Sequence, residues 1–150
     1  MKISWKIKTW EQLKTNELYS ILKLRSKVFV VEQDCVYQDI DDKDKLAIHV
    51  FGFVEGKIIA YSRLFNKKEY FKETSFGRAV VELTKRGKGI GDMLVEKSLL
   101  TIKEKYKEQK VKISAQAHLV NFYKKHGFKT TGKEYLEDGI PHIAMLANIR

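Results

Sequence analysis

The run Arg86-Gly87-Lys88-Gly89-Ile90-Gly91 puts three glycines and two cations into six residues. Small residues let main-chain N–H groups approach an anion closely, and the start of a helix adds favourable partial charge. Arg86 and Lys88 supply full charges for phosphate oxygens. The run lies between a β-rich stretch, 75–83, and a strong helical pattern, which is where a phosphate cradle has to sit. Two other phosphate loops are excluded. The dinucleotide fingerprint needs a third glycine one position later, where Asp92 stands, and the P-loop needs Gly-Lys followed by Ser or Thr. A turn that merely tightens a strand–helix corner is the competing reading of the local pattern.

Groups able to move protons are fewer. Glu82, at the end of the strand before the glycine turn, is a carboxylate that can accept a proton directly or through water. Strand alternation leaves open whether it faces the cleft. His118 and His142 are alternatives, because neutral imidazole relays protons near neutral pH. Asp138-Gly139-Ile140-Pro141 holds His142 at the start of the last strand. His49 and His126 read as strand and helix-end residues. Cys35 has no His or Asp set beside it by sequence and reads as a buried, inert thiol rather than a nucleophile. Asp39, Asp41, Asp42 and Asp44, preceded by Glu32 and Gln33, make an acidic stretch in a basic chain, one that would draw a cationic amine. Each aspartate can equally serve local turns. Tyr37 can contact an acceptor or simply cover the loop.

The elements that would position these groups follow from periodicity. Residues 1–8 alternate as a first strand, and Thr9 with Gln12 can form a capping box. Leu18, Ile21, Leu22, Leu24, Arg25, Val28 and Phe29 fall at helical spacing toward Val31. The runs 46–54 and 57–65, joined by Glu55-Gly56, read as a hairpin, and 75–83 as another strand. In the helix from about Gly89 to Lys107, Ile90, Leu94, Ser98, Ile102 and Tyr106 recur every four residues, with Val95 and Leu99 beside them. A short strand at 111–115, a short helix at 118–126 closed by Gly127, and strands 128–135 and 140–149 around Glu137-Asp138-Gly139 finish the chain. Such an order gives a mixed sheet flanked by helices.

At 150 residues the chain suits one domain, with 43 % hydrophobic and 32 % charged residues. Its net charge of +10 suits an anionic partner, but the lysines are scattered. No apolar run is long enough to span a bilayer, the first residues lack a signal-peptide core, and the single cysteine excludes an intrachain disulfide. The cytoplasm is the default location. No Cys/His cluster has metal-binding spacing.

Arg86-x-x-Gly89-x-Gly91 resembles the Q/R-x-x-G-x-G/A acetyl-CoA signature of the GNAT superfamily of N-acetyltransferases, which follows the fourth strand and opens the third helix there. Asn121-Phe122-Tyr123-Lys124-Lys125-His126-Gly127-Phe128 resembles the second motif of that superfamily. Leu24-Arg25, the run Val28–Gln33, Tyr37, Asp39, Asp41, His49, Ser114–His118 and Asp138–His142 are similar to its ElaA-like branch, so the resemblance spans nearly the whole chain.

The resemblance implies a single GNAT-like α/β (α+β) domain over residues 1–150, with a mixed, mostly antiparallel central sheet flanked by helices. It implies direct transfer of an acetyl group from acetyl-CoA to a primary amine, either a small cationic amine or a peptide or protein amine, without a metal. Arg86, Gly87, Lys88, Gly89, Ile90, Gly91 and Asn121 would hold the coenzyme. A main-chain N–H near Val81 would meet the thioester oxygen, and Tyr123 would donate to the departing thiolate. Glu32, Gln33, Tyr37, Asp39, Asp41 and His118 would wall the acceptor. Ala117 stands where many relatives carry Asn, which puts one coenzyme contact in doubt. Exposed sheet edges are compatible with a homodimer; no membrane is implied. Rival readings are a basic nucleic-acid-binding module, which lacks an aromatic-interleaved basic strand or an Arg-rich recognition helix, and a non-catalytic acyl-CoA sensor.

Overall fold

Strand alternation and helical spacing resolve, in a computed structural model describing residues 2–150, into β1 (Ser4–Thr9), α1 (Thr15–Arg25), β2 (Ile48–Val54), β3 (Lys57–Phe65), β4 (Ser75–Val81), α2 (Ile90–Thr101), β5 (Lys110–Gln116), α3 (Val120–Lys124), β6 (Lys129–Glu137) and β7 (Ile140–Asn148). Glu55 and Gly56 both take left-handed conformations, φ 51° and 77°, as do Asp138 and Gly139 at 53° and 77°. That pair of positive angles matches the twist of the flanking strands in a two-residue hairpin.

Thr9 and Gln12 bond reciprocally, with the Thr9 N–H on Gln12 Oε1 at 2.9 Å and the Gln12 N–H on the Thr9 carbonyl at 3.1 Å. They close a separate turn, however, and α1 begins later, where the Glu17 carboxylate accepts from the Lys14 N–H and the Lys8 ammonium. Past Arg25 the helix widens over Ser26–Glu32. Its bonds there span five residues, as from the Gln33 N–H to the Val28 carbonyl and from the Cys35 N–H to the Val30 carbonyl. Wide turns of this kind often mark functional positions.

The expected single sheet is divided in two. Strands β1-β2-β3-β4 form one antiparallel sheet and β5-β7-β6 the other. Thr74 and Val111 make the one isolated bridge between them among the described residues, with the Lys112 N–H donating to the Thr74 carbonyl at 2.9 Å. Beyond it β4 and β5 share no ladder. The physical cause is a bulge: between Tyr61↔Val80 and Arg63↔Gly77, Ser62 of β3 faces both Arg78 and Ala79. An extra residue bends the strand that carries it, and Arg78 takes φ 48° to fit.

The core lies on both faces of the larger sheet. Ile21, Leu24 and Val28 pack on Phe51, Tyr61 and Val80, while Leu94, Val95, Ile102 and Tyr123 pack with Val50, Leu64, Phe76, Ile113 and Met145. Each large apolar side chain so buried contributes about 1.5–3 kcal/mol. The α2 stripe emerges as the spacing predicts, and Ser98 reaches Ser62 at 2.7 Å.

Candidate functional site

The parting of β4 from β5 leaves a cleft with two connected lobes. The larger, about 640 Å³, is bounded by the wide end of α1, by Val80 and Val81, by the glycine turn and by Phe122 and Tyr123 of α3. Gly87 and Gly89 have φ of 79° and 78°, and a Cβ on either would meet nothing within 4 Å. Their main chain is therefore laid bare at the start of α2, a cradle that fits a pyrophosphate. Gly91 serves a different need, since a Cβ there would stand 3.4 Å from the Phe122 ring, where α2 passes α3. Ile90 is buried and anchors the turn to the core.

Val81 carries a main-chain donor for this lobe. The Glu82 N–H donates to the Ile59 carbonyl at 2.8 Å, and antiparallel alternation then turns the Val81 N–H to the opposite edge, toward the cleft. Arg86 lines this lobe with its side chain paired to its neighbours. Its Nη atoms lie 2.6 and 3.1 Å from the Glu32 carboxylate, and its Nε donates to the Val81 carbonyl at 3.0 Å. It clasps the end of α1 to the end of β4. Lys88 and Asn121 are exposed and line neither lobe.

The smaller lobe, about 110 Å³, shares Phe29, Gln33, Ala79, Gln116, Leu119, Tyr123 and Ile140 with the larger. Tyr123 thus stands at the junction. Its hydroxyl takes no hydrogen bond from the described residues, and burial of the side chain pushes its pKa up to about 12, so it remains a proton donor at neutral pH. One wall of the smaller lobe carries Tyr37, Arg63, Tyr70, Ser75 and Arg78; the other carries Cys35, Glu137, Asp138 and His142. His118 lies apart from this lobe, exposed on the rim of the larger one. Cys35 is half-buried rather than buried, its Sγ 3.1 Å from the Asp138 carbonyl.

Two further candidate groups are held by their neighbours. Glu82 is buried away from both lobes, bonded to Thr84 and paired with Lys27 at 2.9 Å. The Thr84 hydrogen bond and then the Lys27 ammonium hold its pKa down to about 2, leaving it a poor base. Three of the four aspartates of the acidic loop are likewise taken up by arginines, while Asp42 is exposed. Asp39 pairs with Arg25 and Arg78, Asp41 with Arg63, and Asp44 with Arg25 and Arg63, at 2.6–3.0 Å. Burial raises the Asp41 pKa, but the bonds and charge of Arg63 outweigh it and bring it to about 2. The Tyr37 hydroxyl donates to Asp39 at 3.2 Å, and its pKa is raised chiefly by burial.

His142 is better placed as a base. Its Nδ1 is 2.7 Å from the Ile140 carbonyl, which only accepts, so Nδ1 carries hydrogen and Nε2 exchanges protons. Nε2 is 3.4 Å from Glu137 Oε2, and the ring stacks on Tyr135. Ser114 bonds both Tyr135 and Glu137. Arg63, Arg78, Tyr70, Ser114 and Glu137 escape a reading of sequence alone. The signal that could have found the arginines is a full charge inside each of two apolar strand runs, opposite an acid-rich loop. Among the described residues no group of three His, Cys, Asp or Glu side chains could hold a metal, and no helix is long and apolar enough to cross a membrane.

The acetyltransferase (GNAT) domain family matches residues 12–148. The chain is 38 % identical over 149 residues to Protein ElaA of Escherichia coli, covering 98 % of this chain and 97 % of that one. The crystal structure of E. coli ElaA superposes with a TM-score of 0.92 at 37 % identity over 98 % of this chain and all of ElaA. An acyl-CoA N-acyltransferase from Pseudomonas aeruginosa superposes equally well, TM-score 0.92 at 37 % identity, over 97 % of this chain and 99 % of that one.

Proposed function

Because the chain belongs to the GNAT acetyltransferase family and is an acyltransferase by that kinship, we propose that it moves an acetyl group from acetyl-CoA directly to a primary amine bound in the smaller lobe. The observation that carries this reading is the join between a phosphate-fitting main-chain cradle and a second, polar lobe, with Tyr123 common to both. Bound acetyl-CoA supplies the activated acetyl thioester.

The chain's own residues divide the remaining work. Main-chain N–H groups from Gly87 to Gly91 bind the pyrophosphate, and the bulge in β4 orients the Val81 N–H toward the thioester oxygen, where charge grows during transfer. Such a donor, fixed before the reaction, contributes about 2.7–4 kcal/mol in comparable sites. His142 takes the ammonium proton at Nε2, because only the neutral amine attacks, and Glu137 offsets the charge the imidazole then bears. Tyr123, protonated at neutral pH, donates to the departing sulfur.

Titration calorimetry with acetyl-CoA and CoA, followed by CoA release on adding amines, tests the reading. Saturable binding with amine-dependent release is expected; absence of binding would sink it. Binding without release from any amine would favour an acyl-CoA sensor.

A further inference from the structure

We propose that the acceptor is an amine that also bears a carboxylate, a compact amino-acid-like zwitterion, seated with its carboxylate on the Arg78–Tyr70 wall of the smaller lobe and its amine on the Glu137–His142 wall. The inference rests on the transferase reading and narrows its acceptor.

Arg78 is placed with unusual care. Its φ of 48° at the β4 bulge is a conformation that side-chain-bearing residues rarely hold, one that persists only when the surroundings impose it. The guanidinium is fixed by the Asp39 carbonyl, 3.1 Å from Nη2, and by the Tyr37 ring, 5.7 Å from its centroid. Nε is 2.8 Å from Asp39 Oδ1 but too far off line for a hydrogen bond. Nη1 takes no partner among the described residues, on a side chain that lines the lobe. Behind it Arg63, 1 % exposed, also lines the lobe with an unpartnered Nε, its other nitrogens held by Asp41 and Asp44. A guanidinium fixed in this way with a donor to spare is suited to a carboxylate.

Tyr70 adds a second donor to the same wall. Its hydroxyl takes no hydrogen bond from the described residues and lies within charge reach of both Glu137 and Arg78. The three arginines here face three aspartates that already pair with them, so this wall holds no free carboxylate to retain a cation. Among the described residues that line the lobe, the carboxylates not committed to an arginine stand across from this wall, at Glu137 and Asp138. A zwitterion matches the two walls, whereas a polyamine matches one. The order along the lobe is also right for transfer. His142 lies opposite Gln116 in the β5–β7 register, and Gln116 belongs to both lobes, so the amine end sits at the junction with Tyr123.

The experiment begins with acetyl-CoA titration and then follows CoA release with matched acceptors: serine, methionine and phenylalanine, each beside its carboxamide and its decarboxylated amine. At least one amino acid is expected to exceed its carboxamide by about 10-fold or more in kcat/KM, since a site built for a polar group rejects an analogue lacking it. Arg78→Gln removes that preference through KM while acetyl-CoA affinity stays unchanged. Tyr70→Phe, which leaves the bulge and the ion pairs intact, lowers it several-fold. Carboxamides or decarboxylated amines used as fast as the amino acids would overturn the inference and leave the transferase standing. So would a Tyr70→Phe that slowed both members of a pair equally. No binding of acetyl-CoA would overturn the transferase reading and the inference with it.

Discussion

The larger lobe is made mostly of main chain and the smaller one mostly of side chains. In the first, Gly87, Gly89 and Val81 offer N–H groups fixed by local backbone geometry within one stretch of sequence. In the second, Arg63 of β3, Arg78 of β4, Glu137 of β6 and His142 of β7 meet only because two sheets are joined at one end and parted at the other. A main-chain cradle recognises what every pyrophosphate shares, while a wall of side chains can be retuned one substitution at a time. General affinity is thus separated from selectivity within one cleft.

The contrast can be broken most strongly at the arginines. Arg25→Ala leaves Asp39 with Arg78 alone and Asp44 with Arg63 alone, so one buried negative charge is uncompensated, and is expected to lower stability by about 3–5 kcal/mol, measured by urea unfolding. An effect under 1 kcal/mol would mean that the paired loop does not hold this wall together. The same pairing sets an acid limit. Asp41 and Asp44 both have folded pKa values below their ordinary one, Asp41 at about 2, so their contribution is present above about pH 4 and is lost as pH falls through the folded values, about 2 for Asp41. Urea midpoints should decline over that window; a flat profile would contradict the pairing.

At the junction, Tyr123→Phe should lower kcat by about 10²-fold, the low end for a positioned proton donor, with acetyl-CoA affinity unchanged in calorimetry. In the main-chain lobe, Gly89→Val forces a branched side chain to φ 78°, a strain of about 1–2 kcal/mol. About 10-fold weaker CoA binding is expected, with acceptor KM unmoved; a change confined to the acceptor would reverse the assignment of the lobes. The smallest effect belongs to Glu82→Gln. With its carboxylate locked by Thr84 and Lys27, kcat should stay within about 3-fold, far short of the 10²-fold and more that removal of a general base brings. A bell-shaped pH profile that lost its acid limb in this variant would restore Glu82 as the base.

How legible each region was follows from the same contrast. The hairpin at Glu55-Gly56, the α2 stripe and the glycine turn are local, so spacing alone exposes them. Arg25 and Asp39 are 14 residues apart, and Arg63 and Asp41 are 22 apart, so no spacing rule reveals that arginines take up these aspartates of the acidic loop. Glu82 misleads because strand alternation ends where Val81 does, and the turn that follows swings its carboxylate onto Thr84. The division of the sheet hides for a related reason: one extra residue at Arg78 and Ala79 leaves no mark on an apolar pattern that still looks continuous.

That division has a consequence for how the molecule meets solvent. After the Thr74–Val111 bridge, β4 and β5 are neighbours without a shared ladder, so each turns an edge inward. Amide hydrogens on those inner edges, the Val81 N–H among them, should exchange with water as quickly as those of a surface loop despite lying near the molecular centre. Any ligand that bridges the gap closes two edges at once, and the slowing of exchange there would report its arrival without a label.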